Sequence, residues 1–97
     1  MRKPIRHGDV LLTPVDAIPA SANKLPHRTV AEGEVTGHAH RLTIGDIYDS
    51  DGEWYVSAGD GDTITHEEHG PANLIGDYRI AIQREYDDEN EWRQVAD

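Results

Sequence analysis

The sequence predicts an all-β protein, a small antiparallel β-barrel or sandwich of about seven or eight short strands forming a single β-barrel domain over residues 1–97. Three observations carry this. No window places apolar residues at i, i+3, i+4 and i+7 over successive turns, so the helical period is absent. Short alternating runs are punctuated by Gly, Asp and Pro, the pattern of strands joined by tight turns. A chain of 97 residues with 36% hydrophobic side chains builds one core and not two.

Taken in order, Val10 to Thr13 reads as a first strand, opened by Gly8-Asp9 and closed by Pro14. The stretch from Pro14 to Pro26 holds three prolines and reads as a long loop, because Pro cannot donate to a central ladder. Arg28 to Ala31 is a short strand. His38 to Ile44 is the strongest strand, turned by Gly45-Asp46. Ile47-Tyr48 and Glu53 to Ser57 form a hairpin with Asp51-Gly52 as its turn pair. Gly59-Asp60-Gly61 is a second turn, and Asp62 to His66 the strand after it. Gly70-Pro71 stops that strand. A long strand follows from Tyr78 to Tyr86, then a polar turn at Asp87 to Asn90, then a short strand or loose helical turn over Glu91 to Val95. Without Phe, the large side chains available for packing are Trp54, Tyr55, Tyr78, Tyr86 and Trp92, of which Trp54 and Tyr78 are assigned to the core.

Composition narrows the chemistry. Cysteine is absent, which excludes disulfides, thiolate catalysis and cysteine-ligated metal centres. A thin core without disulfides leaves a metal or a partner subunit as its reinforcement, so a homo-oligomer is expected. Net charge is −10. Residues 1–48 hold six basic and five acidic side chains, and residues 49–97 three and fourteen. Such a surface repels phosphate, so no direct nucleic-acid binding is expected. No apolar run has the length of a membrane span, and the N-terminus lacks an apolar signal core; the expected location is cytoplasmic.

The histidines carry the functional signal. His38 and His40 are two apart on one predicted strand and share a face with Leu42 and Ile44, so both are expected to point inward. Two interior imidazoles are hard to satisfy by hydrogen bonds alone, and a metal satisfies both. Ile64 and His66 share a face on a second strand, and a turn at Gly70-Pro71 brings His69 back toward the same centre. The expected metal ligands are therefore His38, His40, His66 and His69. A plainer arrangement, with one or two histidines on a rim and one hydrogen-bonded in the core, competes with this. Glu67 and Glu68 lie between two of the expected ligands and are the candidate catalytic bases. His66-Glu67-Glu68-His69 spaces its histidines three apart on a non-helical segment, so it is not the helical motif of zinc peptidases. His7 and His27 are expected at the surface.

Other motifs resolve simply. Asp49-Ser50-Asp51-Gly52 lacks the downstream ligands of a calcium loop and reads as a turn. Asp87-Asp88-Glu89 and Glu91 form an acidic tip. Arg41, Arg79 and Arg84 are expected to meet cross-strand carboxylates such as Glu85.

His38-Ala39-His40 after Glu32-Gly33-Glu34-Val35-Thr36-Gly37, followed by a later strand histidine, resembles the cupin pattern. That resemblance implies a small β-barrel with an interior metal held by a His-x-His pair, a carboxylate and a later histidine. Ile44 and Gly45 occupy the positions where cupins carry their Glu, so Glu67, Glu68 or His69 would supply the missing ligand. Residues 32–86 also look like a group of short bacterial and phage-type proteins with Gly-His-x-His and His-Glu-Glu-His-Gly-Pro motifs, a likeness that implies no particular activity.

Three functions follow as expectations. The first is a small cupin-like metal-binding protein, an enzyme if the ion keeps an open position for water or a small-molecule ligand. Zinc leads as the metal, with nickel, iron or manganese as alternatives. The second is a non-enzymatic binding module or sensor stapled by a closed metal site. The third is an acidic phage-type accessory protein that blocks a partner's basic surface.

Overall fold

The computed structural model describes residues 2–32, 38–82, 84–86 and 92–94, the last two stretches as backbone only. Residues 87–91 lie outside them, and with them the expected polar turn and acidic tip. The described chain is all β. Its strands are β1 (Ile5–His7), β2 (Val10–Pro14), β3 (Asn23–Lys24), β4 (Thr29–Glu32), β5 (Ala39–Leu42), β6 (Asp46–Ser50), β7 (Glu53–Ser57), β8 (Thr63–Thr65), β9 (Ala72–Asn73), β10 (Asp77–Ile82), β11 (Arg84–Tyr86) and β12 (Trp92–Gln94). All pairings are antiparallel. One sheet runs β1-β2-β10-β7-β6-β3, a second β4-β5-β8-β9, and β11 pairs with β12. Among the described residues no sheet closes on itself as a barrel.

The strands outnumber the expectation because short pairings form where turn residues dominate. Asn23–Lys24 pairs with Tyr48 and Asp49 inside the proline-rich stretch read as loop. Ala72–Asn73 pairs with β8 just past Gly70-Pro71. Ile5–His7 precedes the first expected strand and pairs with β2 through the two-residue Gly8-Asp9 turn. Gly8 has φ of 62°, at the position where a type II′ hairpin places glycine. The β6–β7 hairpin forms as expected, with φ of 53° at Asp51 and 88° at Gly52, and Gly52 N–H donates to Asp49 Oδ1 at 3.0 Å.

One core draws on both large sheets. Val10, Leu12, Ile47, Val56, Tyr78 and Ile80 come from the six-stranded sheet, and Val30, Leu42 and Ile64 from the four-stranded one, with Leu74 from the loop after β9. Tyr78 is buried and Trp54 packs against this cluster from its margin. Ile44 breaks the inward pattern expected of it and is 48% exposed. The strand ends at Leu42, and the chain then bends around a buried carboxylate. Asp62 accepts from the amides of Ile44, Gly45, Gly59 and Thr63 and from the Thr43 hydroxyl, all at 2.7–2.9 Å. Burial pushes its pKa up, but the Gly59, Ile44 and Gly45 amides and Thr43 outweigh this and hold it below the ordinary 3.8.

Arg2 ties the start of the chain to the same body. Its guanidinium donates to the carbonyls of Val15, Ile75 and Asp77 and lies 5.1 Å from the centre of the Tyr78 ring. Gly76, with φ of 82°, leaves room for it: a Cβ there would stand 2.8 Å from an Arg2 nitrogen.

Candidate metal centre

Five histidines meet at one end of the four-stranded sheet, against the β1–β2 turn. The register explains why. Leu42 pairs with Ile64 and Arg41 with Thr65, so the next step along the ladder sets His40 beside His66, ring centroids 4.5 Å apart. His38 approaches His66 at 5.5 Å. The 67–69 bend returns His69 to 4.8 Å from His66 and 5.9 Å from His40. The four expected ligands are thus neighbours, though not equivalent ones.

The fifth member is His7. Expected at the surface, it is instead 4% exposed, 5.0 Å from His40 and 5.6 Å from His69 between ring centroids. Its short strand buries alternate residues, so His7 turns inward with Ile5. That alternation over Ile5-Arg6-His7 was present in the sequence, but three residues before a glycine turn give too little periodicity to read. His27 is exposed, as expected, and sits 5.7 Å from Trp54.

The inner part of the cluster is a hydrogen-bonded line. His7 Nε2 lies 2.8 Å from the Gly70 carbonyl oxygen. A carbonyl only accepts, so Nε2 carries a hydrogen. Burial holds the His7 pKa below 6.5 against the pull of the Gly70 carbonyl, with His69 and His66 pushing it further down. The ring is therefore neutral, and its Nδ1 is a bare acceptor. That atom lies 2.8 Å from His40 Nδ1, so His40 is the donor there. On its far side, His40 Nε2 faces Asp9 Oδ1 at 3.2 Å, with both side chains fully buried. Asp9 is delivered by the same turn that positions His7. Gly8 between them must stay bare, since a Cβ would meet His69 Nε2 at 2.9 Å and His40 Cε1 at 3.0 Å.

The outer part is nearer solvent. One donor atom each from His38, His66 and Glu67 lies within 4.8 Å of the others, the spacing of a metal shell. His38 Nδ1 and His69 Nε2 are buried atoms without a hydrogen-bond partner among the described residues. Glu67 is held in place: Oε1 accepts from the Ala39 amide at 2.8 Å and Oε2 from Arg41 at 2.9 Å. The Ala39 amide first, then its own backbone amide and Arg41, bring its pKa down to about 2. Glu67 is consequently an anion near neutral pH and a feeble base. Glu68 stands 3.6 Å from His38 Nδ1, half-exposed. Its amide donates to His66 Nδ1 at 2.9 Å.

Among the described residues no arginine is hydrogen-bonded to the inner cluster. Arg41 serves Glu67, and Arg79 meets Glu53 across β10 and β7 at 3.5 Å. The side chain of Glu85, expected as a cross-strand partner, lies outside the described residues. Among the described residues no helix is long and apolar enough to cross a membrane.

A family described as a domain of unknown function (DUF8820) matches residues 6–83, a span that contains all five clustered histidines, Asp9, Glu67 and Glu68. No curated protein and no solved structure matches.

Proposed function

The chain belongs to the DUF8820 family, and we propose that it is a metal-binding protein, a sandwich of the cupin-like kind, whose ion is held by His38, His66 and Glu67 with His69 as the fourth ligand. The observation that carries this is the convergence of the His38, His66 and Glu67 donor atoms within 4.8 Å. The buried nitrogens His38 Nδ1 and His69 Nε2, which have no hydrogen-bond partner among the described residues, support it, because burying a bare imidazole nitrogen is costly unless something binds it.

His40 plays a different part in this reading. Each of its nitrogens already faces a polar group, so it backs the ligand rings instead of joining them. His66 Nδ1 accepts from the Glu68 amide at 2.9 Å, which fixes the orientation of this ring. Nitrogen ligands with one carboxylate suit zinc, nickel, iron or manganese; zinc leads as the strong binder among those that need no redox partner. Where a coordination position stays open, bound water becomes the reactive group and Glu68 the base beside it. Two exposed isoleucines, Ile44 at 48% and Ile75 at 73%, support a homo-oligomer, which sedimentation at micromolar concentration tests.

The main test is elemental analysis of protein purified without a histidine tag, followed by zinc titration after chelation. One equivalent per chain is expected, lost in His38→Ala and in His66→Ala and retained in His27→Ala. Retention of metal by both ligand variants would overturn the assignment.

A further inference from the structure

A recess lies away from the five clustered histidines. It is a cleft of about 660 Å³ between β4 and the β7–β10 part of the larger sheet, within the ~300–1,000 Å³ range of small-molecule sites. None of His7, His38, His40, His66 and His69 lines it. Its floor is apolar: Val30, Ile80 and Ile82 come from both sheets. Trp54 forms one wall, with the His27 ring tilted 50° against it at 5.7 Å. His27 is pinned there, since its Nδ1 accepts the Thr29 amide at 3.2 Å.

The charged residues along the cleft are of one sign. Glu32 and Glu53 line it, and among the described residues no lysine or arginine does. Glu53 shares its charge with Arg79 at 3.5 Å, while Glu32 is exposed at the end of β4. Apolar surface, an indole face and carboxylates with no cation among the described lining residues select against anions. They suit a ring that brings its own positive charge: the flat part rests on the floor and against Trp54, and the charge is held by the indole face and the carboxylates. The net charge of −10 draws such ligands to the surface.

We propose that this cleft binds a flat organic cation, of the aryl amidine or aromatic amine class. The site is independent of any metal, so it stands or fails apart from the histidine centre.

The test uses the full chain in the presence of a chelator, followed by amide and indole NMR. Benzamidine is the probe, benzoate its anionic counterpart of the same shape. Saturable shifts at Trp54, Val30 and Ile80 are expected with benzamidine and none with benzoate. Glu32→Gln and Glu53→Gln together should weaken benzamidine about fivefold; both residues are exposed, so these variants fold. Trp54→Leu should weaken it further if it folds. Equal binding of benzoate, shifts confined to other residues, or unchanged affinity in the Glu32→Gln, Glu53→Gln double variant would each overturn the proposal.

Discussion

His7 and His40 face each other through their Nδ1 atoms, 2.8 Å apart in the interior. Because the Gly70 carbonyl claims the His7 Nε2 hydrogen, the proton between the rings belongs to His40. Removing His7 strands a buried donor on His40, which costs about 1–3 kcal/mol, and takes the partner from the Gly70 carbonyl, which is nearer solvent. His7→Ala should therefore lower unfolding free energy by roughly 2–4 kcal/mol in urea. A loss below ~0.5 kcal/mol would mean that water replaces the ring at no cost.

Glu67 and Glu68 should separate under the same substitution. Glu67→Gln keeps the shape but removes the charge that Arg41 and the Ala39 amide hold, and it weakens a carboxylate ligand. Metal affinity should fall at least ~10-fold, in line with losses at metal-supporting carboxylates. Glu68→Gln should leave metal content intact. If bound water is the reactive group, any hydrolytic turnover should be lost in Glu68→Gln, with the zinc still present. Equal metal content in both variants would place Glu67 outside the shell.

Asp62 sets an acid limit on stability. Its folded pKa lies below its ordinary 3.8, so its contribution is complete above about pH 4 and disappears as pH falls through the depressed folded value. Glu67, at about 2, acts in the same direction. Unfolding free energy should fall steeply below pH 4 in the parent protein. Asp62→Asn loses the anion that four amides and a hydroxyl point toward, and should cost about 3 kcal/mol at pH 7. It should also flatten the acid slope. A variant with the parent slope would refute this role.

Arg2 should matter more than its position in the chain suggests. Arg2→Ala removes donors to three carbonyls and the contact with Tyr78, for an expected loss of roughly 1–2 kcal/mol. Gly76→Ala should cost about as much, because the backbone there is left-handed and the added Cβ meets the guanidinium. The two losses should add to less than their sum in the double variant, since both act on one contact.

Sequence alone determined the class of the fold, its hairpin at Asp51-Gly52 and the meeting of His38, His40, His66 and His69. These rest on local rules: period-two alternation, turn chemistry, and a strand parity that carries Ile64 and His66 together. Tertiary structure decided the rest. His7 and Asp9 join the cluster because a hairpin of three-residue and five-residue strands folds them under it, a contact that spans 33 positions between His7 and His40 and leaves no local trace. The ranking of the histidines is likewise a tertiary result. Which nitrogen holds a proton depends on the Gly70 carbonyl and Asp9, and these arrive from separate loops. Ile44 departs from the inward parity for the same reason: parity assumes that a strand continues, and Asp62 ends it by offering hydrogen bonds to the Ile44 and Gly45 amides.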